Sequence, residues 1–175
     1  MKPLNKHPFN TIVDHVIDGN SIGIYGDLNS GKTFIAQQIA QRYINDDTEV
    51  LVIDHKGDWR DALVNYVDAK TVINTLLDRK TQGRNFETLV IIIDDYNSFL
   101  QHRRNILDKI SPNKWKKLKI IPVITYLKHR NIPHLGSNFT PYHIIDLYRL
   151  KDGRYNINLF NEGENIEITT NVKMY

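Results

Sequence analysis

Eight consecutive residues, Gly26-Asp27-Leu28-Asn29-Ser30-Gly31-Lys32-Thr33, fit the pattern G-x-x-x-x-G-K-[ST] in full. Glycines at these positions let the backbone curl, so that successive N–H groups point at phosphate oxygens. A helix that opens directly behind them adds the partial positive charge of its N-terminus. Lys32 has the length and charge to reach the β- and γ-phosphates of a nucleotide, and the Thr33 hydroxyl can ligate Mg²⁺. A chance match in a glycine-containing turn lacks the context found here, a strand pattern before the motif and a helical pattern after it.

A second chemical signal lies at Leu89-Val-Ile-Ile-Ile-Asp94-Asp95, an apolar strand pattern that ends in two carboxylates. This is the Walker B pattern. Asp94, at the C-terminal edge of its strand, can hold Mg²⁺ through water. The next position is where hydrolases of this type place the base that polarises the attacking water. It is usually Glu, and Asp95 reaches one methylene less. A helix N-cap is the alternative role for Asp95. The expected catalytic set is therefore Lys32, Asp94 and Asp95, with Gly26 to Thr33 around the nucleotide and Thr33 and Asp94 at the metal. The expected cofactors are ATP and Mg²⁺. The doubled carboxylate is no glycosidase pair, because no second carboxylate cluster stands opposite it.

The elements that must position these residues follow from periodicity. Ser21–Gly26 reads as a buried strand, and Lys32–Tyr43 as a helix with Phe34, Ile35, Ile39 and Tyr43 at helical spacing. Val50–Asp54 is a second strand. Trp59–Val67 and Thr71–Arg79 are predicted as short helices. Leu89–Asp94 is a central strand buried on both faces. Ser98–Ile110 is helical and is ended by Ser111-Pro112. Lys119–Thr125 is a fourth strand with Pro122 as an awkward member, and His143–Leu150 a fifth. Tyr155–Phe160 and Ile166–Thr170 read as a terminal hairpin. Strands alternating with helices predict one α/β domain over residues 1–175, with a mostly parallel sheet flanked by helices.

Composition narrows the function classes. The chain has 175 residues and no cysteine, which excludes a disulfide scaffold, a Cys-ligated zinc site and a thiol nucleophile. The histidines lack ligand spacing, so no transition-metal site is expected. The longest apolar run, Leu89 to Ile93, is far short of the roughly 20 residues that span a bilayer. The first residues carry no apolar run of a secretory signal. The formal charge is only +3, but residues 101–130 hold nine basic residues against Asp108 alone, a net of +8 that leaves the rest at −5. Such a patch is the footprint of a polyanion binder. A solvated turn between helix and strand is the alternative for its lysines.

Three further segments resemble one branch of the phosphate-loop proteins. Val50-Leu-Val-Ile-Asp54-His-Lys56-Gly57-Asp58 resembles the hydrophobic-D-x-K-G-[DE] signature of the FtsK/HerA superfamily of DNA-pumping ATPases. Ile120-Ile-Pro-Val-Ile-Thr125-Tyr126 is similar to that family's sensor strand, which normally ends in Thr-Gln. Arg130 to Ile145 resembles the stretch that follows it. The resemblance covers residues 21 to about 150, and in size the chain is similar to the genome-packaging ATPases of small viruses and phages. It implies a RecA-like fold with sheet order 5-1-4-3-2. It also implies a homo-oligomeric ring, hexamer or pentamer, that moves double-stranded DNA, with a portal or capsid vertex protein as a partner. Its implied location is the cytoplasm, that of the host if the chain is viral, in association with a capsid. Thr125 and Tyr126 become sensor candidates. Arg103, Arg104, Lys114, Lys116, Lys117 and Arg130 become candidates for gripping DNA or reaching a neighbouring subunit's nucleotide. The sequence departs from the family at Asp95, at Tyr126, and in carrying lysines where a trans-acting arginine is usual. A nucleotide-dependent kinase or switch, and an ATP-binding assembly module without turnover, remain the alternatives.

Overall fold

The computed structural model describes residues 8–45, 47–54, 58–59, 64–66, 74–75, 78, 87–96, 119–127, 141–152, 154–161 and 164–170. Their order is α1 (Pro8–Val16), β1 (Ile22–Gly26), α2 (Lys32–Tyr43), β2 (Thr48–Asp54), β3 (Val64–Tyr66), β4 (Thr88–Asp94), β5 (Lys119–Leu127), β6 (His143–Arg149), β7 (Tyr155–Asn161) and β8 (Glu164–Thr170).

The strands form one sheet in the order β3-β2-β4-β5-β1-β6-β7-β8. The first six run parallel, and β7 and β8 return antiparallel on the β6 side. Its middle, β6-β1-β5-β4-β2, is the 5-1-4-3-2 order implied by the resemblance. The sheet continues beyond that order at both ends, with β3 outside β2 and the terminal hairpin outside β6. Parallel pairing brings the C-terminal ends of β2, β4, β5 and β1 to one edge, and both chemical motifs end there.

The central strands are apolar on both faces because both faces are buried. Val90 and Ile92 join the core that also holds α1 and α2, while Leu89, Ile91 and Ile93, on the opposite face, have no exposed surface. Pro122 fits because it pairs with Ile91 of β4 one residue before β5 begins to pair with β1 at Val123. Its missing N–H falls where one neighbour is not yet alongside.

Two local readings need correction. Val64–Tyr66, inside the helix predicted over Trp59–Val67, is a strand parallel to β2. Three residues, Val64, Asn65 and Tyr66, are too short to show a period, and pairing with β2 decides their conformation. The helix α1 was not predicted. Its residues Phe9, Ile12, Val13 and Val16 are buried at helical spacing, with proline at the first helical position. It packs on α2 through an edge-to-face contact of Phe9 with Phe34, ring centroids 5.8 Å apart. Asn74, Thr75 and Asp78 are helical within the span predicted over Thr71–Arg79. The helix predicted over Ser98–Ile110 lies outside the described residues. No helix among the described residues is long and apolar enough to cross a membrane.

Candidate active site

The loop that fits the phosphate-binding pattern, called the phosphate loop below, is built at the end of β1, the strand flanked by β5 and β6. Gly26 closes the strand where no side chain fits. A Cβ there would run into Ser30 Oγ and come within 2.9 Å of the Leu147 carbonyl oxygen. The Ser30 N–H then donates to the Asp27 carbonyl at 3.2 Å, forming a tight turn. Asn29 and Gly31 take left-handed conformations, with φ of 58° and 87°. Gly31 pays no steric cost for this, and Asn tolerates it better than most side chains. The chain turns sharply enough that α2 starts at Lys32, and the Gly31 carbonyl accepts the Ile35 N–H at 3.0 Å. Leu28 stands exposed at the tip, Ser30 is buried, and Thr33 is half-buried on the first helical turn.

Lys32 folds back over this loop. Its ammonium donates to the Asp27 carbonyl at 2.5 Å and lies 3.5 Å from Ser30 Oγ. Both acceptors are neutral. An anionic phosphate oxygen adds the attraction of a full opposite charge, so it competes well for the same ammonium.

The carboxylates sit at the ends of β2 and β4, on the far side of β5 from the loop. Asp54 of β2 and Asp94 of β4 are register partners, and both are buried. Asp94 Oδ1 accepts the Thr125 hydroxyl at 2.6 Å and the Asp95 N–H at 3.1 Å. The Asp95 N–H also donates to Thr125 Oγ1 at 2.7 Å. Asp94 Oδ2 accepts the indole N–H of Trp59 at 3.0 Å, and the main-chain N–H of Trp59 donates to Asp54 Oδ2 at 3.1 Å. A buried carboxylate needs such donors, because an unsatisfied charge is costly away from water. Asp95 itself is buried in a left-handed conformation, φ 52°. Among the described residues, no group of three or more His, Cys, Asp or Glu could hold a metal alone. Thr33 and Asp94 offer hydroxyl and carboxylate oxygens, the hard donors that Mg²⁺ takes when it arrives with a nucleotide's phosphates.

Thr125 and Tyr126, adjacent in sequence, fall on opposite faces of the sheet. Thr125 joins the carboxylates. Tyr126 is fully buried, stacked on Tyr25 at 4.8 Å and edge-on to Tyr96 at 5.4 Å between centroids. Burial raises its phenol well above the ordinary range, with Tyr25 and Tyr96 adding to the shift, so it stays protonated. Tyr25 is raised too, by burial first and then by the charge of Asp146. Arg103, Arg104, Lys114, Lys116, Lys117 and Arg130 lie outside the described residues, as do Lys56 and Gly57 of the strand-two signature. Lys119, from the same basic window, begins β5 at the edge opposite the phosphate loop.

Two residues at this site carry no functional role in the sequence pattern, which places them only at the start of a predicted helix and of a hairpin strand. Trp59 follows the strand-two signature directly, and a buried indole N–H needs an acceptor, so its presence there was a usable signal. Tyr155 of β7 donates its hydroxyl to the Asn29 carbonyl at 3.3 Å. Nothing near it in sequence announced that contact, which depends on the hairpin joining the same sheet.

No protein-family model and no curated protein matches the sequence. Among solved structures, a KaiC-like protein from the hyperthermophilic archaeon Pyrococcus horikoshii is similar at a TM-score of 0.55 and 16% identity, covering 87% of this chain and 83% of the other. The fold is RecA-like. At that identity the likeness shows the fold alone, and the chemistry rests on the residues themselves. On that fold the loop from Gly26 to Thr33 and the carboxylates of β4 stand at the C-terminal ends of parallel strands, where open α/β sheets bind ligands.

Proposed function

We propose that the protein binds ATP with Mg²⁺ on the loop from Gly26 to Thr33 and hydrolyses it. One observation carries this reading: the phosphate loop and a Walker B carboxylate hydrogen-bonded on both oxygens stand at one edge of the parallel part of a single sheet. Loop N–H groups and the start of α2 bind and orient the phosphates. Lys32 leaves the Asp27 carbonyl and places its charge on them. Thr33 and Asp94 are the residues that would hold the cation, whose chemistry is to neutralise charge developing on the phosphate oxygens. Asp95 accepts the proton of the attacking water, and its main chain is fixed to Asp94 and Thr125 for that purpose.

The finer reading is that turnover drives a homo-oligomeric ring along duplex DNA, as in genome packaging, with a capsid vertex protein as a further partner. Its support is the strand-two signature from Asp54 to Asp58 and the basic window of residues 101–130. ATP turnover measured with and without duplex DNA tests both levels. Turnover lost in Lys32→Ala supports the hydrolase, and strong stimulation by DNA supports the motor. A requirement for a small phosphate acceptor would replace both with a kinase. Tight ATP binding without turnover in the assembled state would leave an assembly module.

A further inference from the structure

Trp59 belongs to none of the motifs above, yet it joins the two carboxylates that end β2 and β4. Its main-chain N–H is held by Asp54 Oδ2 and its indole N–H by Asp94 Oδ2, at 3.1 and 3.0 Å. The side chain is 5% exposed and packs in the core shared with α2. The neighbouring Asp58 carbonyl accepts the Gln37 side-chain amide of α2 at 3.4 Å, so the same short segment also touches the helix that the phosphate loop opens.

The indole is rigid and can only donate. Asp94 Oδ1 already takes the Thr125 hydroxyl and the Asp95 N–H. The indole bond therefore supplies what those cannot, a fixed direction for Oδ2. A carboxylate held on both oxygens keeps one plane, and the lone pair it has left points one way. We infer that Trp59 is a positioning residue for Asp94, orienting through its indole N–H the carboxylate assigned to the Mg²⁺ of a bound nucleotide. The segment after β2 thereby sets how strongly nucleotide binding depends on the cation. This rests on the nucleotide reading above. Partners that orient a metal-binding group from behind are worth about 10–100-fold in metal affinity for direct ligands, and a water-mediated contact puts the effect near the lower figure.

The test is nucleotide binding titrated with Mg²⁺ in Trp59→Phe, which keeps an aromatic ring and removes the N–H. ATP affinity in chelator should match that of the unsubstituted protein. The Mg²⁺ concentration that half-maximally tightens binding should rise about tenfold. An unchanged Mg²⁺ dependence, or an equal loss with and without Mg²⁺, would overturn the inference and leave Trp59 a packing residue. A second measurement needs neither turnover nor nucleotide. The Trp59 indole proton, distinguished from that of Trp115 by Trp115→Phe, should exchange slowly with solvent and shift on Asp94→Asn in the nucleotide-free protein. If that resonance is the same in both proteins, the bond to Asp94 is absent and the inference fails, whatever the chain binds. If the resonance behaves as expected but no nucleotide binds, the positioning contact stands and the nucleotide reading fails.

Discussion

Asp95 concentrates the residue-scale argument. Its φ of 52° places a non-glycine side chain in the left-handed region, where Cβ crowds the following carbonyl at a cost of roughly 1–2 kcal/mol. The strain is tolerated because the Asp95 N–H is held by both Asp94 and Thr125. Strain kept at the group proposed as the base has a measurable signature. Asp95→Ala and Asp95→Gly both remove the carboxylate, so turnover should vanish in each. They differ in Cβ alone, and Asp95→Gly should resist denaturant better than Asp95→Ala by about 1 kcal/mol. Equal stability would mean that the backbone is not strained there. Asp94 and Asp95 could be singled out from sequence because two carboxylates end an apolar strand. Trp59 was legible only in part: an indole N–H needs an acceptor once buried, but that the acceptor is Asp94 depends on where the chain goes after β2.

At the scale of elements, strand patterns were legible because β1, β2, β4 and β5 are buried on both faces or alternate cleanly, and α2 because the loop motif fixes its start. Part of what escaped depended on partners. Val64–Tyr66 takes its conformation from β2, whereas α1 carries its helical spacing in its own sequence at Phe9, Ile12, Val13 and Val16. The terminal hairpin was visible as a hairpin, but its reach was not. By extending the sheet past β6 it brings Tyr155 against the phosphate loop, where the hydroxyl bonds the carbonyl of left-handed Asn29. Tyr155→Phe removes that bond and keeps the ring. With about 1 kcal/mol for the lost bond, nucleotide affinity should fall roughly fivefold. Isothermal titration of ATP checks it, and hydrogen exchange at residues 27–31 should quicken in the nucleotide-free protein. An unchanged affinity and exchange rate would reduce Tyr155 to a core residue.

Across the whole molecule, charge polarity was plain in the sequence, but only Lys119 of the basic window's cations falls among the described residues, at the sheet edge away from the phosphate loop. Another charged contact, invisible in sequence, ties distant parts of the chain together. His143, at the start of β6, is 2% exposed; its Nε2 meets Asp18 Oδ2 at 2.8 Å and its Nδ1 meets Asn161 Oδ1 at the end of β7. The loop after α1, a central strand and the terminal hairpin thus share one side chain. Burial pushes the Asp18 carboxyl upward. Hydrogen bonds from His143 and Asn20, with the His143 charge, outweigh it and hold that carboxyl below the usual range. A carboxyl lowered by folding stabilises the native state above its unfolded value, near pH 4, and loses that contribution as pH falls through the lower folded value. Asp18→Asn should therefore be less stable than the unsubstituted protein at pH 6, with the gap closing as pH drops below about 4. Denaturant unfolding across that range reads the gap directly. A difference that stays constant with pH would show that the link between the two ends of the fold is packing alone, with no contribution from the Asp18 charge.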